Sequence, residues 1–294
     1  MDMQTQTGIL APDKTNEVIG DEGQSLVISK REAEEFCAYK KQKKLAEING
    51  AISRAELVFN GDTDAQSVCA LMEKYRLASV KMPLTMLSLY GAFFIKRGVV
   101  CDCVIGGTGE TLTDVKAREA KLALKYKAKE ITLVLAPSAV RGARYVEIRK
   151  ELKKLRRIAR RAYLKVHLDE KYPYALLSRL ARICAEECID YISVPYFEGC
   201  EKLRADLFGG CLMEVSGVDN LPDYKKMIGA GVGRILSSHV TGIRAEWMRE
   251  VDEIRFPAPQ NHVEEKGNKE NGTKKDNSTV LALPPIPLPP VNNA

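Results

Sequence analysis

The sequence has few of the features that mark membrane, disulfide-stabilised or metal-binding proteins. It contains no run of about 18 apolar residues, so we predict no segment that spans a bilayer. None of its eight cysteines forms a C-x-x-C pair, and zinc ligation requires tighter cysteine and histidine spacing than is present here. We therefore predict free, reduced thiols, a cytoplasmic location, and neither a bound metal nor a cofactor.

Signatures of dinucleotide and nucleic-acid binding are weak as well. No G-x-G-x-x-G motif opens a helix after a strand, because the turn Gly106-Gly107-Thr108-Gly109 has a different spacing. Lysine and arginine number 45 against 39 aspartates and glutamates, which gives a net charge of +6. Such a mildly basic balance does not favour nucleic acid as a partner.

The two ends of the chain differ in composition from its centre. Residues 1–24 have no periodic apolar pattern, and residues 1–23 resemble neither a signal peptide nor a transit peptide, so we predict a flexible N-terminal segment over residues 1–28. Residues 257–294 are charged and then rich in proline, which predicts a disordered tail. The P-x-x-P spacing within 284–290 could dock in an aromatic groove of a protein partner, although we favour an inert tail.

Between these ends, residues 29–256 alternate short apolar strands with amphipathic helices. Helices are predicted at 65–76, 113–126, 145–162, 173–188 and 221–228. Eight strands are predicted at 51–57, 78–82, 99–105, 130–136, 163–169, 191–195, 211–217 and 234–238. Eight β-α units in about 220 residues indicate an α/β protein with a (β/α)8 TIM barrel.

Polar residues inside such a barrel are the candidates for function, since active sites lie at the carboxyl ends of the strands. Strict alternation in residues 164–169 turns Lys165, His167 and Asp169 inward. A structural ion pair for Lys165 and Asp169, and a hydrogen-bonded core histidine for His167, are the competing interpretations. Lys81 also has apolar neighbours and is a further candidate, with a salt-bridged lysine at the barrel rim as the favoured alternative.

Several segments together resemble the deoxyribose-phosphate aldolase family over residues 52–239. The matching segments are Val104-Ile105-Gly106, Val115-Lys116, Glu119-Ala120, Ala128-Lys129-Glu130-Ile131, Gly142 with Tyr145, Leu164-Lys165-Val166, Asp190-Tyr191-Ile192, Ala230-Gly231 and Arg234-Ile235-Leu236-Ser237-Ser238. Their order and spacing follow the family, so the resemblance implies the same barrel, a sugar-phosphate ligand and a homo-oligomer.

The chemical residues of the family are replaced in this chain. By the resemblance, Ser193 stands where the family has its Schiff-base lysine, Met213 where it has the second lysine, and Thr132 where it has the proton-relay aspartate. Amine catalysis needs a nucleophile, a group that lowers its pKa and a proton shuttle, and these three residues supply none of them in the usual form.

The phosphate-binding turn of the family is kept only in part. Gly217, Ser237 and Ser238 preserve amide and hydroxyl donors, but Asp219 stands where the family has an arginine. A phosphate group would therefore meet an added negative charge.

Three functions follow as hypotheses. The first is an aldolase-like barrel without standard Schiff-base activity that binds a small ligand, with a sugar phosphate as one candidate, or that acts as a regulatory or binding protein. The second is a divergent aldolase or lyase in which Lys81 or Lys165 has taken over, with Asp102, His167 or Asp169 moving protons. The third is an assembly component that recruits partners through its tails.

Overall fold

A computed structural model describes residues 15–19, 25–168, 172–256 and 280–282 of the chain. Eight parallel strands form a closed barrel in the order β10-β3-β4-β5-β6-β7-β8-β9, which confirms the predicted (β/α)8 architecture. The barrel strands are β3 Ala55–Val58, β4 Ser79–Pro83, β5 Cys101–Ile105, β6 Glu130–Val134, β7 Tyr163–His167, β8 Tyr191–Pro195, β9 Leu212–Ser216 and β10 Arg234–Leu236.

Helices follow the strands around the barrel. The helices of the described residues are α1 Lys30–Ile52, α2 Ala65–Tyr75, α3 Leu84–Lys96, α4 Thr113–Lys125, α5 Pro137–Arg141, α6 Tyr145–Ile158, α7 Tyr174–Glu186, α8 Cys200–Ala205, α9 Leu221–Gly229 and α10 Val240–Asp252. All five predicted helices are present, with ends that move by up to four residues.

Local sequence explains several helix boundaries. Asp64 precedes α2, and its carboxylate accepts a hydrogen bond from the Ser67 backbone N–H, which satisfies one free donor of the first turn. Asn220 caps α9 in the same way by accepting from the Asp223 N–H. Arg76 ends α2 in the left-handed conformation.

The first barrel strand begins later than predicted. Helix α1 continues through Ile52, so the predicted strand at 51–57 is wrong at its start, and β3 begins at Ala55. Ala51 and Ile52 are buried, as strand residues would be, so burial alone did not separate a helix end from a strand here.

The chain divides into two compact units. One contains residues 46–248 and holds the barrel. The other contains 1–45 and 249–294, and within it β1 Thr15–Ile19 pairs with β2 Ser25–Ser29 and with β11 Val280–Ala282. Strand β1 lies within the terminal segment 1–28 and β11 within 257–294, and β2 extends one residue past the first segment, to Ser29. The proline-rich run at 284–290 lies outside the described residues.

The apolar core lies between the barrel strands and the helices around them, and it contains no disulfide. All eight cysteines are free, six of them are buried, and Cys188 is exposed. Among the described residues, no helix combines the length and apolarity that crossing a bilayer requires.

Candidate functional site

The centre of the barrel is polar. Each strand alternates, and the residues of inward parity meet in a buried group of charged and hydroxyl side chains. Its charged members are Glu56 on β3, Lys81 on β4, Asp102 on β5, Glu130 on β6, Lys165 on β7, Glu214 on β9 and Arg234 on β10. We call these seven residues the central ion cluster.

Lys165 lies at the middle of the central ion cluster. Its side chain is fully buried, and its Nζ atom forms ion pairs with four carboxylates. The distances are 3.1 Å to Asp102, 2.7 Å to Glu130 and 2.8 Å to Glu214, and Glu56 is the fourth partner. An ammonium group enclosed in this way is held in place and has no open face for a substrate.

Lys81 lies at the upper edge of the same cluster and lines a cavity. Its Nζ atom pairs with Glu214 and lies 3.7 Å from Asp102 and 3.6 Å from Glu56. The cavity, which we call the mouth cavity, has a volume of about 300 Å³. Two of its lining residues, Lys81 and Thr132, lie at the middle of their strands. The others lie at or near the carboxyl ends of the strands: Val104, Gly107, Val134, His167, Ser216 and Leu236.

Both lysines are held in the charged form. Burial disfavours a buried ammonium, but the carboxylates of Glu214, Asp102 and Glu56 outweigh it and raise the pKa of Lys81 above its usual value. The same balance raises the pKa of Lys165 well above its usual value. A lysine nucleophile needs the opposite shift, since only the neutral amine attacks a carbonyl group.

The carboxylates of the central ion cluster differ in charge. Burial and the neighbouring Glu214 raise the pKa of Glu56 to about 8. Glu214 is buried too, but Lys165 and Lys81 lower its pKa well below the usual value. The Oε2 atom of Glu56 has no hydrogen-bond partner among the described residues.

Ser193 is fully buried beside this cluster, at the inward position of β8. Its hydroxyl donates to Glu214 Oε1 at 2.6 Å, and its Oγ atom lies 2.9 Å from Nδ1 of His167. A hydrogen-bonded line therefore runs from Glu214 through Ser193 to His167, which lines the mouth cavity.

The inward neighbour of Ser193 on β9 is Glu214 rather than Met213. In the strand register Ser193 faces Glu214, and Met213 faces Ile192 with the opposite parity. Met213 is buried but lies on the side of the strand that faces the helices. Thr132 is inward, and its hydroxyl lies 2.8 Å from an oxygen of Asp102 on the neighbouring strand.

The predicted phosphate-binding residues converge on an acidic side chain. The hydroxyls of Ser237 and Ser238 both donate to Asp219 Oδ1, at 3.2 and 3.3 Å. Nδ1 of His239 lies 3.2 Å from the same oxygen. Asp219 is exposed; a partial loss of hydration opposes its ionisation, but the hydrogen bonds with His239, Ser237 and Ser238 lower its pKa below the usual value. Gly217 lies next to this turn with a φ of 75°.

Of the predicted catalytic candidates, the structure brings Lys81, Lys165 and His167 into one neighbourhood, while Asp169 lies outside the described residues. The acidic members Glu56, Glu130 and Glu214 were not predicted. A signal was available for Glu56 and Glu214, because each is a single acid between two apolar residues of a buried strand, whereas Glu130 follows Lys129 at the start of β6.

Three of these acids have the geometry of a cation site. Carboxylate oxygens of Glu56, Asp102 and Glu214 lie within 4.8 Å of one another. The ammonium groups of Lys81 and Lys165 already lie among them, so a divalent ion would meet two like charges. We therefore assign no metal to this group.

Fold and site together define the class of protein: a closed (β/α)8 barrel whose polar residues gather inside and at the carboxyl ends of its strands. No family model matches the sequence. The deoxyribose-phosphate aldolase of Clostridium botulinum (strain Eklund 17B / Type B) is 28% identical over 197 residues, which cover 61% of this chain and 86% of that protein.

Solved structures of the same class share the fold. A deoxyribose phosphate aldolase of Aeropyrum pernix, described as tetrameric, has a TM-score of 0.58 and 20% identity and covers 72% of this chain and 96% of its own. The structure of an aldolase called QR15 has a TM-score of 0.59 and 23% identity, and covers 69% of this chain and 97% of its own. The chain is therefore similar in sequence to a deoxyribose-phosphate aldolase and shares its barrel fold with solved aldolase structures.

Proposed function

We propose that this chain is a deoxyribose-phosphate aldolase-like barrel that binds a small polar ligand in the mouth cavity and does not use Schiff-base chemistry. The observation that carries this proposal is the position of Ser193. By the resemblance it stands where the family has its reactive lysine, and its hydroxyl is hydrogen-bonded to Glu214. A hydroxyl group cannot form an imine with a carbonyl carbon.

The state of the two neighbouring lysines supports the same proposal. Lys165 has no exposed surface, and the pKa values of both Lys81 and Lys165 are raised, so both are ammonium ions at neutral pH. An ammonium ion has no lone pair with which to attack a carbonyl group.

Borohydride trapping tests this proposal directly. The protein is incubated with acetaldehyde or deoxyribose 5-phosphate, treated with borohydride and digested, and its peptides are measured by mass spectrometry. We expect no reduced adduct, whereas an active aldolase treated in parallel carries one. A reduced adduct on any lysine of this chain overturns the proposal.

The second candidate is a divergent aldolase that uses a relocated lysine, and one observation favours Lys81 for that role. Lys81 lines the mouth cavity, whereas Lys165 lies beneath it and is fully buried. If aldol turnover is found, Lys81→Met should abolish it. Equal rates in the wild type, Lys81→Met and Lys165→Met would eliminate this candidate.

The proposal also covers the oligomeric state of the chain, its cellular location and a partner for its tail. The tetrameric relative from Aeropyrum pernix supports a homo-oligomer, which light scattering after size exclusion measures. The eight free cysteines support a cytoplasmic location. A partner for the proline-rich tail rests on the sequence pattern at 284–290, and deletion of residues 283–294 followed by interaction measurements tests it.

A further inference from the structure

We propose that a groove at the amino-terminal end of the barrel binds single-stranded nucleic acid through its phosphate groups. This basal groove is lined by residues at the ends of α3, α4 and α6 and by residues that precede β5 and β6. The mouth cavity lies toward the opposite ends of the barrel strands. The inference therefore goes beyond the proposed function and does not depend on it.

Among the described residues that line the basal groove, four are cationic and none is acidic. Lys127 and Lys129 follow α4, and Arg160 and Arg161 follow α6. All four side chains are exposed. Within the part of the chain that the structure describes, none of the four forms an ion pair or a side-chain hydrogen bond. Their positive charges are therefore available to an anionic ligand.

Most cations within helix α6 itself are neutralised. Acidic side chains pair with four of its six lysines and arginines, namely Arg149, Lys153, Lys154 and Arg156. Arg160 and Arg161, just beyond the end of the helix, have no such partner among the described residues. The basic character of this segment is therefore concentrated at the basal groove.

The helix ends in this region weaken the positive field without reversing it. Helices α3, α4 and α6 all end at the basal groove, and the carboxyl end of each contributes about half a negative charge. Three such ends amount to about 1.5 negative charges. The four lysines and arginines carry one full positive charge each, so the groove stays electropositive.

The floor of the basal groove is aliphatic. Its volume is about 680 Å³, and its half-buried apolar residues are Ile95, Val99, Val100, Leu124 and Ile158. An apolar floor with a cationic rim suits a ligand that has both flat apolar faces and regularly spaced negative charges. Nucleobases and phosphates provide this combination.

The width of the groove favours an extended nucleic-acid strand over other anionic partners. The axes of packed neighbouring helices lie about 8–10 Å apart, so the space between their ends does not admit a further helix, about 10–12 Å in diameter, or a duplex. An extended peptide would need an open strand edge for its backbone, and the barrel is closed. A single strand of nucleic acid meets neither obstacle.

A second groove extends the path of such a ligand toward α2. It has a volume of about 780 Å³ and shares residues 98–100 with the basal groove. It adds the cations Arg76 and Arg97, and Glu73 is the one acid among its described lining residues. A nucleic-acid strand that follows both grooves would thus meet four to six cations.

The net charge of the chain does not reveal this region. The value of +6 is a sum over all 294 residues, and it includes the acids that neutralise α6. Sequence-independent binding of phosphates depends instead on charge that is concentrated on one surface.

Fluorescence anisotropy of a labelled oligouridylate of about 20 nucleotides measures this binding with the full chain. We expect a Kd of about 1–100 µM at physiological salt. A plot of log K against log salt concentration should have a slope of about −3 to −4, because each phosphate contact of a single strand contributes about −0.7. Absence of binding at low salt overturns the inference, and so does a slope near zero.

Paired neutralising variants locate the binding surface. Lys129→Gln combined with Arg161→Gln should lower the affinity at low salt by about 10-fold and flatten the slope by about 1.4. Lys150→Gln combined with Lys202→Gln removes the same charge from exposed residues outside the groove, and should leave both values unchanged. Equal effects of the two double variants would show that only net charge matters and would overturn the inference.

A charge-preserving exchange separates electrostatics from local structure. Lys129→Arg combined with Arg161→Lys keeps both cations, so we expect the affinity and slope of the wild type. A loss as large as that of the neutralising double variant overturns the inference. All four positions in these variants are exposed, so circular dichroism spectra should match the wild type.

Two further ligands test the choice of a single strand. A duplex of the same length should bind about 10-fold more weakly, since it cannot enter the groove. Equal binding of the duplex overturns the assignment, and so does tighter binding to phosphatidylserine vesicles than to the oligonucleotide. None of these results alters the proposed lack of Schiff-base chemistry, which borohydride trapping tests separately.

Discussion

At the scale of single residues, two glutamates of the central ion cluster share the same lysines in opposite states. Glu214 is ionised and contacts both Lys81 and Lys165, whereas burial and Glu214 keep the pKa of Glu56 near 8. Replacement of each by glutamine removes one carboxylate at nearly constant shape, so the two variants form a matched pair.

We expect these two variants to differ strongly in stability at pH 7. Glu214→Gln removes an ionised partner of two buried ammonium groups and should lower the free energy of unfolding by about 3–5 kcal/mol. Glu56→Gln replaces a carboxyl that is mostly protonated and should change it by less than about 1 kcal/mol. Urea unfolding followed by circular dichroism measures the free energy of unfolding of both variants. Equal losses would contradict the opposite charge states assigned to Glu214 and Glu56.

The raised pKa of Glu56 also predicts a pH dependence. Between its usual value of 4.5 and about 8, the folded protein keeps the Glu56 proton and the unfolded chain releases it. Stability from this group is therefore fully present below pH 4.5 and is lost as the pH rises through about 8. Over that window Glu56→Gln should lose stability less steeply than the wild type, and parallel pH profiles would rule the assignment out.

Asp219 predicts how the chain responds to phosphate. Asp219→Asn removes the carboxylate that holds the Ser237 and Ser238 hydroxyls, and should increase the affinity for inorganic phosphate by about 10-fold, since hydrogen bonds to a charged group contribute about 1.5–3 kcal/mol. Calorimetric titration of both proteins measures this change, with Asp223→Asn on helix α9 as the control. An unchanged affinity would show that the turn is not an anion site.

Sequence analysis identified some of the inward-facing side chains of the barrel and missed others. Lys165 and His167 were found because their strand alternates strictly between apolar and polar residues. Glu214 was missed because the resemblance drew attention to Met213, one position earlier on the same strand. A shift of one residue moves a side chain to the other face of a strand, so only the register with Ser193 identifies Glu214 as the inward residue.

At the scale of elements, the loop from β5 to α4 depends on glycines. Gly106, Gly107 and Gly109 all have positive φ, and a Cβ on Gly109 would overlap the backbone of Leu135. Gly98 has a similar positive φ of 75°, but a Cβ there would meet nothing within 4 Å. An alanine at Gly98 would therefore cause backbone strain alone, and an alanine at Gly109 would cause both backbone strain and steric overlap.

We expect Gly109→Ala to be clearly more destabilising than Gly98→Ala. Both should lose about 1 kcal/mol to backbone strain, and Gly109→Ala should lose a further 1–3 kcal/mol, approximately, to overlap with Leu135. Thermal unfolding of the two variants and the wild type measures the difference. Equal shifts in Tm would show that the loop moves aside at little cost.

Prediction of the elements succeeded where a helix has one apolar face. Helix α6 buries Ile148, Leu152 and Leu155 on one side, and its residues Lys150, Lys153, Lys154 and Arg157 are exposed. Helix α3 was not among the predicted helices, since it is apolar around most of its circumference and even exposes Leu89. Periodicity cannot identify such a segment because it has no polar face to contrast.

At the scale of the whole molecule, thiol reactivity should report on the integrity of the barrel. Cys188 is exposed, whereas burial raises the pKa of Cys101 and Cys211 to about 12. We expect Ellman's reagent to modify Cys188 first and the six buried thiols only as the protein unfolds. Cys188→Ser should remove the fast phase. A fast phase of several thiols in the native protein would contradict this packing.

The pairing of β11 with β1 affects how experiments on C-terminal truncations of the chain must be interpreted. Strand β11 supplies backbone partners to β1 from Glu17 to Ile19. Removal of residues 257–294 would take away the proline-rich run and, at the same time, uncover peptide groups that can recruit another chain. Self-association of such a truncated protein would then reflect a newly opened sheet edge and would say nothing about the role of the prolines. A shorter deletion that removes only residues 283–294 keeps β11 and so keeps that edge covered.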